Sequence, residues 1–73
     1  MIKSILTFRS ADGKYEGIGA STVITGASTE SVEDQARARF GRCAYRLEHY
    51  LVAQFHKGPM AVSFFENGRN ILC

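Results

Sequence analysis

Between two stretches that read as β-hairpins lies a run, Glu30 to about His56, whose apolar residues recur at helical spacing. At about 100° per residue, Val32, Ala36, Phe40, Cys43, Leu47, Tyr50, Leu51 and Phe55 share one broad arc. The pattern predicts one long amphipathic helix that turns this arc to the core. Ser31-x-x-Asp34 fits an N-terminal capping box, and Glu30 and Glu33 suit the positive end of the helix dipole. Lys57-Gly58-Pro59 supplies the stop: a cation in the last turn, a glycine able to take the left-handed cap and a proline that cannot continue. At about 1.5 Å per residue such a helix would run roughly 40 Å. That exceeds a short strand, so an overhang or a bend at Gly41 is expected.

Ile2 to Arg9 alternates as a strand, and Ala11-Asp12-Gly13 carries turn chemistry. Pairing Ser10 with Lys14 sets Leu6 opposite Ile18 and Ile2 opposite Thr22, which collects Leu6, Ile18, Ala20 and Ile24 on one face of a hairpin with Tyr15 to Thr25. Met60 to Phe65 forms a further apolar strand, and Asn67-Gly68 signals a tight hairpin to Asn70–Cys73. Pairing Glu66 with Arg69 puts Phe64 opposite Ile71 and Val62 opposite Cys73, giving those four an inward face. The expected fold is α+β in the order ββαββ, a four-stranded antiparallel sheet with one long helix packed on one face, in strand order 2-1-3-4. Seventy-three residues leave room for a single domain, 1–73, and for no second lobe.

In that architecture Ile5, Tyr15, Val23, Phe65 and Leu72 point to the sheet face without a helix, with Gly17 and Gly19 beside them. The set reads either as scattered surface hydrophobes or as an interface to a second copy or a target. On the helix, Arg39, Arg42 and Arg46 fall within about 60° of one another, with His49 and Tyr45 alongside. Such a stripe serves as a solvated face, as a grip on an acidic protein surface, or as a phosphate contact with Tyr45 stacking on a base. The acidic residues at the helix start work against a long phosphate track. Ala38, Gly41, Tyr45 and Val52 add a strip of small and aromatic residues against which a partner could pack.

Signals for chemistry are sparse. His49 and His56 sit seven positions apart, about 10.5 Å along a helix, too far to bind one zinc ion together. Cys43 belongs to the apolar arc, Cys73 is terminal, and neither forms a Cys-x-x-Cys pair. Gly17-Ile18-Gly19 opens no helix and is not read as a phosphate loop. Ser21, Ser28 and Ser31 have no histidine and acid placed around them in a recognisable motif. No cofactor or metal is expected. The net charge of +2 falls short of a dedicated nucleic-acid binder. The N-terminus lacks the apolar run of a signal peptide, and no segment approaches the roughly 20 apolar residues that span a membrane. A reduced, cytoplasmic setting is the expectation.

These readings converge on a non-enzymatic protein-interaction module, a homodimer being one form of it. The alternative is a small nucleic-acid-binding protein that uses the basic helix face. In size and in the order of its elements, Ile2 to Arg9, Tyr15 to Thr25, Glu30 to His56, Met60 to Phe65 and Asn70 to Cys73, the chain resembles the small single-domain anti-CRISPR proteins of phages and mobile elements. The resemblance is architectural and carries no motif. It implies an inhibitor that blocks a nucleic-acid site or nuclease recruitment on a bacterial effector complex, in the host cytoplasm if the chain is phage-encoded, and it transfers no functional residue.

Overall fold

Alternation of Ile2, Ser4 and Leu6 with Lys3, Ile5 and Thr7 makes Ile2–Phe8 the strand β1, as its pattern predicts. The computed structural model describes residues 1–15 and 21–71. Around β1 assemble β2 (Ser21–Gly26), β3 (Ala44–Leu51), β4 (Ala61–Glu66) and β5 (Arg69–Asn70), with one helix, α1 (Thr29–Phe40). The fold is α+β, and its sheet has five antiparallel strands in the order β2-β1-β3-β4-β5.

The expected long helix is therefore three elements: α1, β3 and a 3-10 stretch at Val52–Lys57. Only its first part is α-helical: α1 ends at Phe40, and Gly41-Arg42-Cys43 turns the chain with the Cys43 amide donating to the Phe40 carbonyl at 2.9 Å. A Cβ on Gly41 would lie 2.5 Å from the Arg37 carbonyl oxygen, so a residue with a side chain cannot stand there without backbone movement. Ala44–Leu51 then alternates with period two: Tyr45, Leu47 and His49 are buried, while Arg46, Glu48 and Tyr50 lie on the other side. A helix would have exposed Tyr45 and His49. The strand buries both and gives β1 and β4 a hydrogen-bonding partner between them. Aromatic-rich, period-two segments favour this outcome, and burying one large apolar side chain contributes roughly 1.5–3 kcal/mol.

This central strand corrects the four-stranded sheet of order 2-1-3-4: Met60–Phe65 does not neighbour β1, because β3 intervenes. It also corrects the apolar arc. Val32, Ala36 and Leu47 are buried and Phe40 packs at the core margin, but Cys43 and Leu51 are exposed, and Tyr50 and Phe55 pair on the far side of the sheet. The chain after β3 makes a 3-10 stretch, Val52–Lys57, which ends at Gly58 where the stop was expected. The N-terminal cap is Ser28 rather than Ser31; its hydroxyl accepts from the Ser31 amide at 3.2 Å.

Ser10 N–H donates to the Lys14 carbonyl at 2.7 Å, as expected for the first turn, but the β1–β2 ladder pairs Leu6 with Thr22 and Ile2 with Gly26. The displacement from the expected register is an even number of residues, so side-chain faces are preserved and Ile24 stays inward. Ile18, Ala20, Gly17 and Gly19 lie outside the described residues. The second hairpin pairs as expected: Asn67 and Gly68 have φ of 53° and 77°, Glu66 faces Arg69, and the Ile71 amide donates to the Phe64 carbonyl at 2.7 Å. Its facing is reversed. Register with β3 sets Phe65 opposite buried Tyr45, so Phe65 is the inward residue, and Val62 and Phe64 belong to the uncovered side. Cys73 and Leu72 lie outside the described residues.

The core consists of Ile2, Leu6, Ile24, Val32, Ala36, Tyr45, Leu47 and Phe65, with Phe8 and Phe40 meeting edge to face at 5.1 Å. Polar clamps hold α1 across the sheet. Gln35 Nε2 donates to the Thr25 carbonyl at 2.9 Å on one side, and Arg37 Nε donates to the Gly68 carbonyl at 3.1 Å on the other.

Candidate functional site

Two places in this fold concentrate functional groups: the sheet face without a helix, and a buried polar cluster beneath α1. On the uncovered face, cross-strand register aligns Val23, Ile5, Glu48 and Val62 in one row. The neighbouring row is Ser21, Thr7, Arg46 and Phe64, and on the other side lie Thr25, Lys3 and Tyr50. Val23 is 50% exposed and Val62 46%. Aromatic pairs stand at both ends. Tyr15 meets Phe64 at 5.3 Å with the Arg46 guanidinium 5.7 Å from the Tyr15 ring, and Tyr50 meets Phe55 at 4.3 Å with Lys3 Nζ 4.9 Å from the Phe55 ring. Two ion pairs lie here: Arg46 bridges Glu48 at 3.2 Å, and Arg9 bridges Glu66 at 2.6 Å. Glu66 keeps Arg9 firmly protonated, raising its pKa through a hydrogen bond and its charge. A shallow, open cavity of about 600 Å³ lies beside this face, lined by Arg9, Ser10, Ala11, Gly13, Tyr15 and Ala44.

Ile5, Tyr15 and Val23 thus occupy the face where the sequence places them, and Phe65 does not. Val62, Phe64, Tyr50 and Phe55 join them unforeseen, because a strand at Ala44–Leu51 was needed to bring Tyr50 there and to reverse the facing of β4. The arginine stripe does not exist. Arg39 is on α1 over the Phe40 ring at 5.0 Å, Arg42 is in the turn after it, and Arg46 is on the uncovered sheet face. Tyr45 is fully buried, stacked on Phe65 at 5.4 Å, and offers no surface for a base. The strip of Ala38, Gly41, Tyr45 and Val52 is dispersed for the same reason.

The buried cluster is built on His49, whose side chain is 1% exposed. Ser4 on β1 lies 2.7 Å from Nδ1, Ser63 on β4 lies 3.3 Å from Nε2, and the Ser63 hydroxyl donates to Glu33 Oε2 on α1 at 2.9 Å. Glu33 Oε2 is itself 3.6 Å from Nε2. Hydrogen-bond capacity assigns the tautomer. Because Ser63 spends its only hydrogen on Glu33, it can only accept from Nε2; Nε2 therefore carries the proton, and Nδ1 accepts from Ser4. Desolvation lowers the imidazole pKa from its ordinary value, and the Glu33 charge and hydrogen bonding oppose that in part. Ser4 is fully buried, so the serine–histidine contact has no access for a substrate.

Only period-two spacing about His49, with Ser63 across from Leu47, could have signalled this cluster; helical spacing hides it. Cys43 is exposed, and His56 lies on the exposed 3-10 stretch. Among the described residues, no group of three or more His, Cys, Asp or Glu side chains could hold a metal ion, and no helix is long and apolar enough to cross a membrane. Compared with known proteins, the chain matches no family model, no curated protein and no solved structure.

Proposed function

We propose that the chain is a non-enzymatic protein-interaction module that docks through the uncovered sheet face. The observation that carries this reading is the Val23–Ile5–Glu48–Val62 row flanked by two aromatic pairs. The flanking Tyr and Phe side chains are of the kind enriched at protein interfaces, and the two charges in the middle of the patch, Arg46 and Glu48, pair with each other. Covering the patch would bury an ion pair rather than two lone charges, with the Arg46 Nε–H, which has no acceptor among the described residues, open to an acceptor from the partner. Inhibition of a larger complex by occupying its surface is the form that the anti-CRISPR resemblance suggests, with a second copy of the chain as the simplest alternative occupant. Dispersal of Arg39, Arg42 and Arg46 removes the geometric basis of the nucleic-acid reading.

Val62→Lys and Phe64→Lys test the proposal. Self-association is read by light scattering across concentration, and target blockade by the activity of purified bacterial CRISPR effectors with the chain added. A docking face predicts that at least one activity is present in the parent chain and falls tenfold or more in the variants, at unchanged circular dichroism; tenfold corresponds to about 1.4 kcal/mol. Micromolar binding of generic DNA or RNA at physiological salt, with neither protein activity present, would replace this reading.

A further inference from the structure

We propose that the Ser4–His49–Ser63–Glu33 cluster is a proton-sensitive latch that fastens α1 to the sheet and weakens that packing when the solution turns mildly acidic. Its four side chains come from β1, β3, β4 and α1, so every contact between Glu33 and the strands crosses the helix–sheet boundary. In the neutral imidazole each donor has an acceptor: Ser4 to Nδ1, Nε2 to Ser63, Ser63 to Glu33. A second ring proton must sit on Nδ1, where the Ser4 hydrogen already lies along the 2.7 Å line. Ser4 is fully buried and would have to turn its hydroxyl away from the acceptor it has. The new charge would also stand in a side chain that is 1% exposed.

The groups around the ring decide the balance. From α1 comes Glu33, whose charge acts on the ring, and the helix's buried residues, Val32 and Ala36, are apolar. β1 presents Ser4, and β4 presents Ala61 and Ser63; Lys3, Arg46 and Glu48 belong to the opposite face. Tyr45 shares the His49 face of β3, and burial raises its pKa, so it stays neutral in acid. Glu33 favours the cation but does not overcome desolvation, so the folded-state pKa lies below the unfolded value of about 6.5. The unfolded chain then binds more protons in the window just below that value. Stability is fully present above it and falls with pH until the folded-state pKa is passed. Opening α1 is the direct relief, because Glu33 on the helix reaches both Ser63 and the ring across the helix–sheet boundary.

The experiment follows the His49 ring and the Val32 and Ala36 methyl groups by NMR in the full chain from about pH 8 to about pH 5, alongside urea unfolding. The expected result is a His49 midpoint below about 6.5, methyl shifts with the same midpoint, and a folding equilibrium constant that falls by up to about tenfold per pH unit in that window. His49→Gln should abolish the methyl response and the fall. Glu33→Gln should move the His49 midpoint further down. If His49→Gln does not fold, the titration of the parent chain decides alone. A His49 midpoint at or above about 6.5, methyls that ignore its titration, an upward shift in Glu33→Gln, or an undiminished fall in His49→Gln would each overturn the latch.

Discussion

Phe65 separates the two possible facings of β4, and replacing it measures which is real. Its side chain is fully buried, its ring stacks on Tyr45 at 5.4 Å and 19°, and the Arg37 guanidinium stands 5.5 Å from its centroid. Phe65→Ala would cost about 3–5 kcal/mol by lost transfer energy and cavity formation. Since the core of so small a domain supplies roughly 3–5 kcal/mol in total, that variant would sit near its unfolding midpoint in water. Phe65→Leu is more informative. It retains most of the apolar volume but loses the aromatic pair, about 0.5–1.5 kcal/mol, and the cation–π contact, about 0.5–1 kcal/mol. Together these predict a loss of roughly 1–2.5 kcal/mol. Val62→Ala on the other face of the same strand, at a site 46% exposed, should cost less than about 1 kcal/mol. Urea midpoints at constant slope compare the two directly. If Val62→Ala costs as much as Phe65→Leu, β4 faces the other way and the core described above is wrong.

Tyr45→Phe should be neutral or stabilise by up to about 1 kcal/mol in the same assay, because the Tyr45 hydroxyl is buried without a hydrogen-bond partner among the described residues; a loss above about 1 kcal/mol would reveal a partner that the geometry lacks. Gly41→Ala should destabilise by roughly 1–3 kcal/mol, because the added Cβ falls 2.5 Å from the Arg37 carbonyl oxygen. A gain in stability there would point to a helix that continues past Phe40.

The turns were legible because turn chemistry is local, although the first turn did not fix the β1–β2 register, which pairs Leu6 with Thr22. Asn67-Gly68 demands positive φ at both positions, and that alone sets the Glu66–Arg69 pairing. Gly13 and Asp12 hold the first turn: the Gly13 amide donates to the Ser10 carbonyl at 3.0 Å, and Asp12 accepts from the Lys14 amide at 3.2 Å. The Ser10 and Lys14 bonds also lower the Asp12 pKa. Which face of β4 turns inward is not local. It depends on the register with β3, and a one-residue change of facing exchanges Val62 and Phe64 for Ser63 and Phe65.

The decisive misreading was one of period. Phe40, Cys43, Leu47, Leu51 and Phe55 satisfy a helical arc, while Tyr45, Leu47 and His49 satisfy an alternation, and Leu47 belongs to both. Counting hydrophobes favours the arc because it gives histidine no weight as an inward residue. Yet His49 is inward because three other elements supply what its ring needs: Ser4 on β1, Ser63 on β4 and Glu33 on α1. A polar residue can complete an alternating core face only when distant partners satisfy it. Those partners are separated from His49 by as many as 45 positions. The sequence near His49 therefore held the break at Gly41 and the aromatics that favour a strand, but the inward place of His49 rests on hydrogen bonds from distant elements, and the same bonds that made it hard to read are the ones the proposed latch would use.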